Sequence, residues 1–205
     1  MDPTDKSLVD AAFLLRLLIK TNPEGYHMGA VRPNKFAYHA SVQAAESGIE
    51  GFRYRFIRAP LGPMDRRIAG DMSRLEMSGF VRQDHAPTAA GIEAASELDE
   101  FFKENADFTG VLDSVARKHG RTPRHKLVAD LHAAKVIVGG REMTIEDAPL
   151  GTVLFDPATQ DFRVPLHVTE EWEDTLALVF DPGARHAAME AAAAMKAGRV
   201  SRFER

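Results

Sequence analysis

The chain has 205 residues, 44% hydrophobic and 27% charged, with a net charge of −4 and no cysteine. That length can bury a substantial core in one large domain or two small ones, and the lack of cysteine excludes disulfides, thiolate metal sites and cysteine nucleophiles. The acidic start MDPTDKSLVD has no leader pattern, and the apolar run 11–19 is broken by Arg16, so a cytoplasmic protein outside the membrane is expected.

Residues 7–20 predict a helix. Ser7 is its expected cap, and Leu8, Ala11, Ala12, Leu15, Leu18 and Ile19 form a wide apolar face. Phe13, Leu14 and Leu17 leave few polar positions, so burial on most sides follows. A turn is expected over 21–25, irregular chain over 26–34, and a second helix over 35–47 ended by Gly48. His39 in that helix is a packing or surface residue.

Residues 51–57, GFRYRFI, alternate strictly. Phe52, Tyr54 and Phe56 point one way and Arg53 and Arg55 the other, as in a half-buried strand. Gly62-Pro63 reads as a turn into a helix. Met64, Ile68, Met72 and Leu75 share one face of that helix, while Asp65, Arg66, Arg67, Asp71 and Arg74 occupy the other. Gly79 closes it and Phe80-Val81 resume extended. Residues 52–74 hold six arginines and two aspartates, +4 against −8 for the remainder. Such a patch either attracts phosphate or is a solvated basic face.

Thr88 is expected to cap a helix reaching about 104 through Ile92, Ala95, Leu98, Phe101 and Phe102, and Asp107 to open another with Phe108, Val111, Leu112 and Val115 inside. Arg117, Lys118, Arg121, Arg124 and Lys126 place five positive charges within ten residues with no acid, a second phosphate contact or an exposed loop and helix start. Thr122-Pro123 begins a helix to about 134 that buries Leu127, Val128 and Leu131. His125 and His132 could share a face but have no carboxylate partner, so no metal site is expected.

Residues 136–138 read as a strand ended by Gly139-Gly140, and 151–155 and 162–164 as a hairpin. Thr169 caps EEWEDTLALVF, with its acids in the first turn and Trp172 as a core anchor. Asp181-Pro182 opens an alanine-rich helix over 183–197. Residues 141–205 carry seven basic and twelve acidic residues. The reading is an α+β, mainly helical chain: a domain over 1–120, then an acidic region over 121–205 with a β-hairpin and two helices. No Walker, Rossmann, GxSxG, HExxH or EF-hand pattern occurs, so no catalytic activity and no cofactor are expected.

The first part runs helix, helix, strand, turn, helix, strand, polar loop, helix. Gly62-Pro63, the segment Asp71 to Leu75, Gly79-Phe80-Val81 and Thr88 to Gly91 resemble a pattern of prokaryotic winged-helix proteins, with a related layout in the Panacea-type antitoxins. The resemblance covers about residues 8–104 and implies a winged-helix-like fold. It admits two functions. In a bacterial transcriptional regulator, Arg66, Arg67 and Arg74 face the major groove of double-stranded DNA, Arg53, Arg55 and Arg58 lie near phosphates, and the acidic region makes a homodimer. In an antitoxin or adaptor that does not bind DNA, the acidic region, with Glu170, Glu171 and Glu173, grips a basic protein partner.

Overall fold

The computed structural model describes residues 3–22, 28–181 and, beyond these, 183, 184, 187, 190, 191, 194 and 195. The fold is α+β and mainly helical, with eight α-helices among the described residues. The first helix is its spine. Helix α1 (Pro3–Thr21) starts earlier than Ser7, which is therefore helical rather than a cap. Ala11 through Leu15, Leu17 and Leu18 are fully buried. The reason is visible in the neighbours: α2 (Val31–Glu46), α3 (Arg66–Met77) and α6 (Ala106–His119) all pack on α1, as does α8 (Glu170–Phe180). Phe13 lies 5.1, 5.8 and 4.9 Å from the rings of Phe101, Phe102 and Phe108. Burial of each such ring contributes about 1.5–3 kcal/mol. Helix α2 begins four residues before Lys35, with Pro33 tolerated in its first turn.

The hairpin before α3 differs from the expected strand and turn. Strand β1 (Phe56–Ala59) pairs antiparallel with β2 (Gly62–Met64), Ile57 opposite Met64 and Ala59 opposite Gly62. The reversal is therefore at Pro60-Leu61, and Gly62-Pro63 belong to a strand. Proline is accommodated because β2 is an edge strand. Residues 51–55 keep the alternation but have no ladder partner.

After α3, Val81 and Pro87 form an isolated bridge, and the carbonyl of Asp84 at its tip accepts from the N–H groups of Met28 and Gly29. The helix expected over 88–104 breaks at Leu98 into α4 (Ala89–Glu97) and α5 (Asp99–Glu104). The break resets the buried face, so Phe101 and Phe102 are inside and Ile92 is 49% exposed.

Helix α7 (Arg124–Ala133) buries Leu127 and Leu131, with Val128 only half-buried. Strand β3 (Lys135–Val138) continues through Gly139-Gly140, both at positive φ, into β4 (Arg141–Thr144), a hairpin rather than a single strand. Strand β5 (Val153–Phe155) does not pair with 162–164. It adds to β1, giving the order β2-β1-β5, while Val164 bridges Ile49. Phe155 of β5 and Leu176, Val179 and Phe180 of α8 join the same hydrophobic core as α1, so elements on both sides of residue 120 share it. Thr169 caps α8 as expected. Asp181 accepts from the N–H groups of Gly183 and Ala184, and the rest of the helix expected over 183–197 lies largely outside the described residues, as does most of the turn over 21–25. Among the described residues no helix is long and apolar enough to cross a membrane.

Candidate functional site: a cleft at the start of α3

The unpaired segment 51–55 is held by two carboxylates instead of a neighbouring strand. Asp10 of α1 accepts the N–H of Arg53 at 3.2 Å, and Asp65 accepts the N–H of Arg55. Because the alternation sends Phe52, Tyr54 and Phe56 into the core, Arg53 and Arg55 emerge on the other face beside α3.

Asp65 is the node of this arrangement. It is the N-cap of α3, accepting from the Arg67 N–H at 2.7 Å, and it also accepts from the Arg67 guanidinium. Its own N–H donates to Asn34 Oδ1 at 3.0 Å. Behind it, buried Asp10 pairs with Arg53 Nε at 3.2 Å. Burial pushes the Asp10 carboxyl up to about 6, against the pull of the Arg53 charge and N–H. The Tyr54 hydroxyl donates to Asp71 at 2.8 Å, and Arg74 approaches the same carboxylate at 3.9 Å. Burial raises both groups: Tyr54 well above the ordinary phenol range, helped by nearby Asp10 and Asp71, and Asp71 against the hydrogen bond from Tyr54. The Arg67 guanidinium lies 5.7 Å above the Tyr54 ring.

In front of this network is a cleft of about 700 Å3. Phe52, Ile57, Met64 and Phe162 give it an apolar floor, and Arg55, Arg66 and Arg67 stand at its walls. The far side is a 3-10 turn, Pro157–Thr159, whose cap Asp156 pairs with Arg55 at 2.9 Å. Arg53 also lines the cleft, and its Nη2 is buried without a hydrogen-bond partner among the described residues. An apolar floor with a few convergent charged groups is the usual make-up of a binding pocket.

The six arginines expected to face nucleic acid therefore have different fates. Arg53, Arg55, Arg66 and Arg67 meet at the cleft. Arg58 is corrected: it is buried, donating to the carbonyls of Ile145 at 2.6 Å, of Ala59, and of Glu146 at 3.4 Å, so it ties β1 to the segment before β5. Arg74 sits over Asp71, away from the cleft. Only Arg66 of these is exposed with no ion pair among the described residues. The outward stripe of α3 continues from Arg66 through Ala69, Gly70, Ser73 and Met77, none of them cationic.

The downstream cluster is elsewhere. Arg117, Lys118, Arg121, Arg124 and Lys126 are all exposed. Arg117 and Arg121 lie beside Lys20 at the far end of α1, about 15 Å along the helix from Asp10, and the other three follow them at the end of α6 and the start of α7. His39 and His119 stack at 4.0 Å with planes 8° apart, and no group of three potential metal ligands occurs among the described residues. Trp172 is partly buried, 5.4 Å from Phe101, and its indole N–H donates to Glu104 at 2.8 Å. Glu170 and Glu171 are exposed in the first turn of α8, a placement the helix dipole alone favours.

Sequence reasoning missed Asp10, Asn34, Asp156 and Phe162 as members of the site. Each is brought to the cleft or its supporting network by long-range packing that leaves no local periodic signal. No family model, curated protein or solved structure matches the chain.

Proposed function

We propose that this protein is a non-catalytic interaction module on a winged-helix-like frame, and that it seats a segment of a partner protein in the cleft at the start of α3. The order α1, α2, hairpin, α3, short bridged return and α4 supports the frame. The observation that carries the reading is the cleft itself: an apolar floor beside Arg66, in a region whose other cations are engaged by carboxylates of the same chain. Three of the four cleft arginines, paired with Asp10, Asp156 and Asp65, leave little charge free to displace counterions from DNA. A partner segment bearing an apolar side chain and a carboxylate fits, with the carboxylate against Arg66.

The test is co-purification from the native host with the full chain and two variants. Ala158→Trp fills the cleft from an exposed turn, and Arg66→Glu reverses the unpaired charge. Loss of a partner protein by tenfold or more in both, with Lys126→Glu unaffected and all melting points retained, supports the module. Unchanged protein capture, or capture of nucleic acid alone that is lost with Arg66→Glu, overturns it and returns α3 to the role of a DNA reader.

A further inference from the structure

We propose that the face formed by the end of α6 and the start of α7 binds the phosphate backbone of double-stranded DNA, independently of the cleft and of any partner in it. Five cations, Arg117, Lys118, Arg121, Arg124 and Lys126, lie there within ten residues, all exposed, none in an ion pair among the described residues. Two of them, Arg117 and Arg121, border a hollow of about 480 Å3 that Lys20 and Gly120 also line. Its one acid among the described residues, Asp113, is engaged by Arg16 at 3.6 Å and Lys20 at 4.0 Å. Asp130, exposed on α7, is the acid whose charge reaches His119 in the cluster. The contrast with α3 is direct: there each arginine but Arg66 has a carboxylate or carbonyl of its own, and here the cations have none among the described residues.

Folding accounts for only half of this cluster. Arg117, Lys118 and His119 occupy the last turn of α6, where the helix dipole favours positive charge. Arg124, His125 and Lys126 occupy the first turn of α7, where it opposes them. That first turn has no acid, and Pro123 provides no side-chain cap. A placement that local helix energetics disfavour is made favourable by an anion laid across both helix ends. The joint between them is fixed, because Arg32 donates to the Gly120 carbonyl at 2.6 Å and the Thr122 N–H to that of His119.

The same residues choose among polyanions. Residues 117–126, RKHGRTPRHK, contain no aromatic ring of Phe, Tyr or Trp and no large aliphatic side chain. Single strands are gripped by base stacking on such rings, and anionic membranes by inserted apolar side chains. A cationic face with neither reads a duplex backbone without sequence preference.

The test is a fluorescence-anisotropy titration of the full chain against a random-sequence DNA duplex across 50 to 200 mM salt. Five phosphate contacts predict a slope of log K against log salt of about −4.5, an affinity loss of roughly 500-fold over that range. Arg124→Ala/Lys126→Ala should lower the slope by about two units and Arg117→Ala/Lys118→Ala likewise, while Arg66→Ala leaves it unchanged. All four positions are exposed, so folding is retained, checked by thermal melts. No binding at 50 mM salt, a slope altered by Arg66→Ala but not by either pair, or tighter binding to phosphatidylserine vesicles than to the duplex overturns the proposal.

Discussion

Replacing Asp65 with alanine should remove three interactions at once. The N-cap bond to the Arg67 N–H is worth about 1 kcal/mol. The Arg55 N–H loses its acceptor in a part-buried place, about 1 kcal/mol more. The pair with the half-exposed Arg67 guanidinium adds about 0.5 kcal/mol. The sum, about 2.5 kcal/mol, lowers a urea midpoint by roughly 1.2 M at an m-value of about 2 kcal/mol/M. Trp172, the only tryptophan, is distant in sequence and partly buried on Phe101, so its emission follows global unfolding. Asp65→Asn keeps one oxygen for the cap but loses the charge and the second acceptor, so its midpoint should fall about half as far. If Asp65→Ala moves the midpoint by less than about 0.3 M, or Asp65→Asn falls as far as Asp65→Ala, the assigned node is wrong.

Two glycines should respond oppositely to alanine. At Gly91 a Cβ would stand 2.2 Å from the Phe80 carbonyl oxygen, a backbone atom, so Gly91→Ala should cost about 2–3 kcal/mol in thermal or urea unfolding. At Gly70 nothing lies within 4 Å, so Gly70→Ala on exposed α3 should add about 0.5–1 kcal/mol. Arg58→Met should destabilise by about 2 kcal/mol, read from urea midpoints, through its three abandoned carbonyls. Stability against pH should show two opposing groups. Burial, with His119 and the Lys118 and Lys35 charges, lowers His39 to about 3, so the unfolded chain takes up a proton first and stability falls as pH drops from 6.5 toward 3. Asp10, raised to about 6, stays protonated in the folded state, and its contribution falls as pH rises from 3.8 to 6. Between pH 4 and 6 the two slopes, at most about 1.4 kcal/mol per pH unit each, largely cancel. In His39→Gln, urea midpoints measured at pH 4, 5 and 6 should therefore rise toward pH 4 relative to the parent. Parallel pH profiles would refute the assignment.

What the chain reveals by itself divides along physical lines. Helices with a periodic apolar face and a capping residue are legible: Ile68, Met72 and Leu75 are buried in α3, and Thr169 caps α8 ahead of its acids. The alternation of Phe52, Tyr54 and Phe56 is legible as burial, but not the absence of a ladder there, because Asp10 and Asp65 satisfy the backbone in place of a strand. Strand β4, REMT, is polar and short, and only its register with β3 across Gly139-Gly140 identifies it. The partner of β5 is almost a hundred residues away, and nothing in VLF distinguishes pairing with 162–164 from pairing with Phe56 and Ile57. Leu98 has no helix-breaking character, so the break between α4 and α5 follows from packing of Phe101 and Phe102 against Phe13 rather than from the chain itself.

The charge pattern carries the sharper lesson. Residues 52–74 sum to +4 and residues 117–126 to +5, so counting along the chain makes the two segments near equals. Space separates them. Two of the four acids that meet the first group come from afar, Asp10 from α1 and Asp156 from beyond β5, two are its own Asp65 and Asp71, and Arg58 turns inward to carbonyls. These arginines fasten a strand without a neighbour to the helices around it, and their desolvation is compensated by hydrogen bonds within the chain. Among the described residues no acid pairs with the second group, and the one carboxylate lining the hollow beside Arg117 and Arg121 is already engaged by Arg16 and Lys20. A run of arginines is thus open to phosphate only where folding leaves it without carboxylates, a condition that, among the described residues, the cations of α6 and α7 meet and those beside α3, Arg66 excepted, do not.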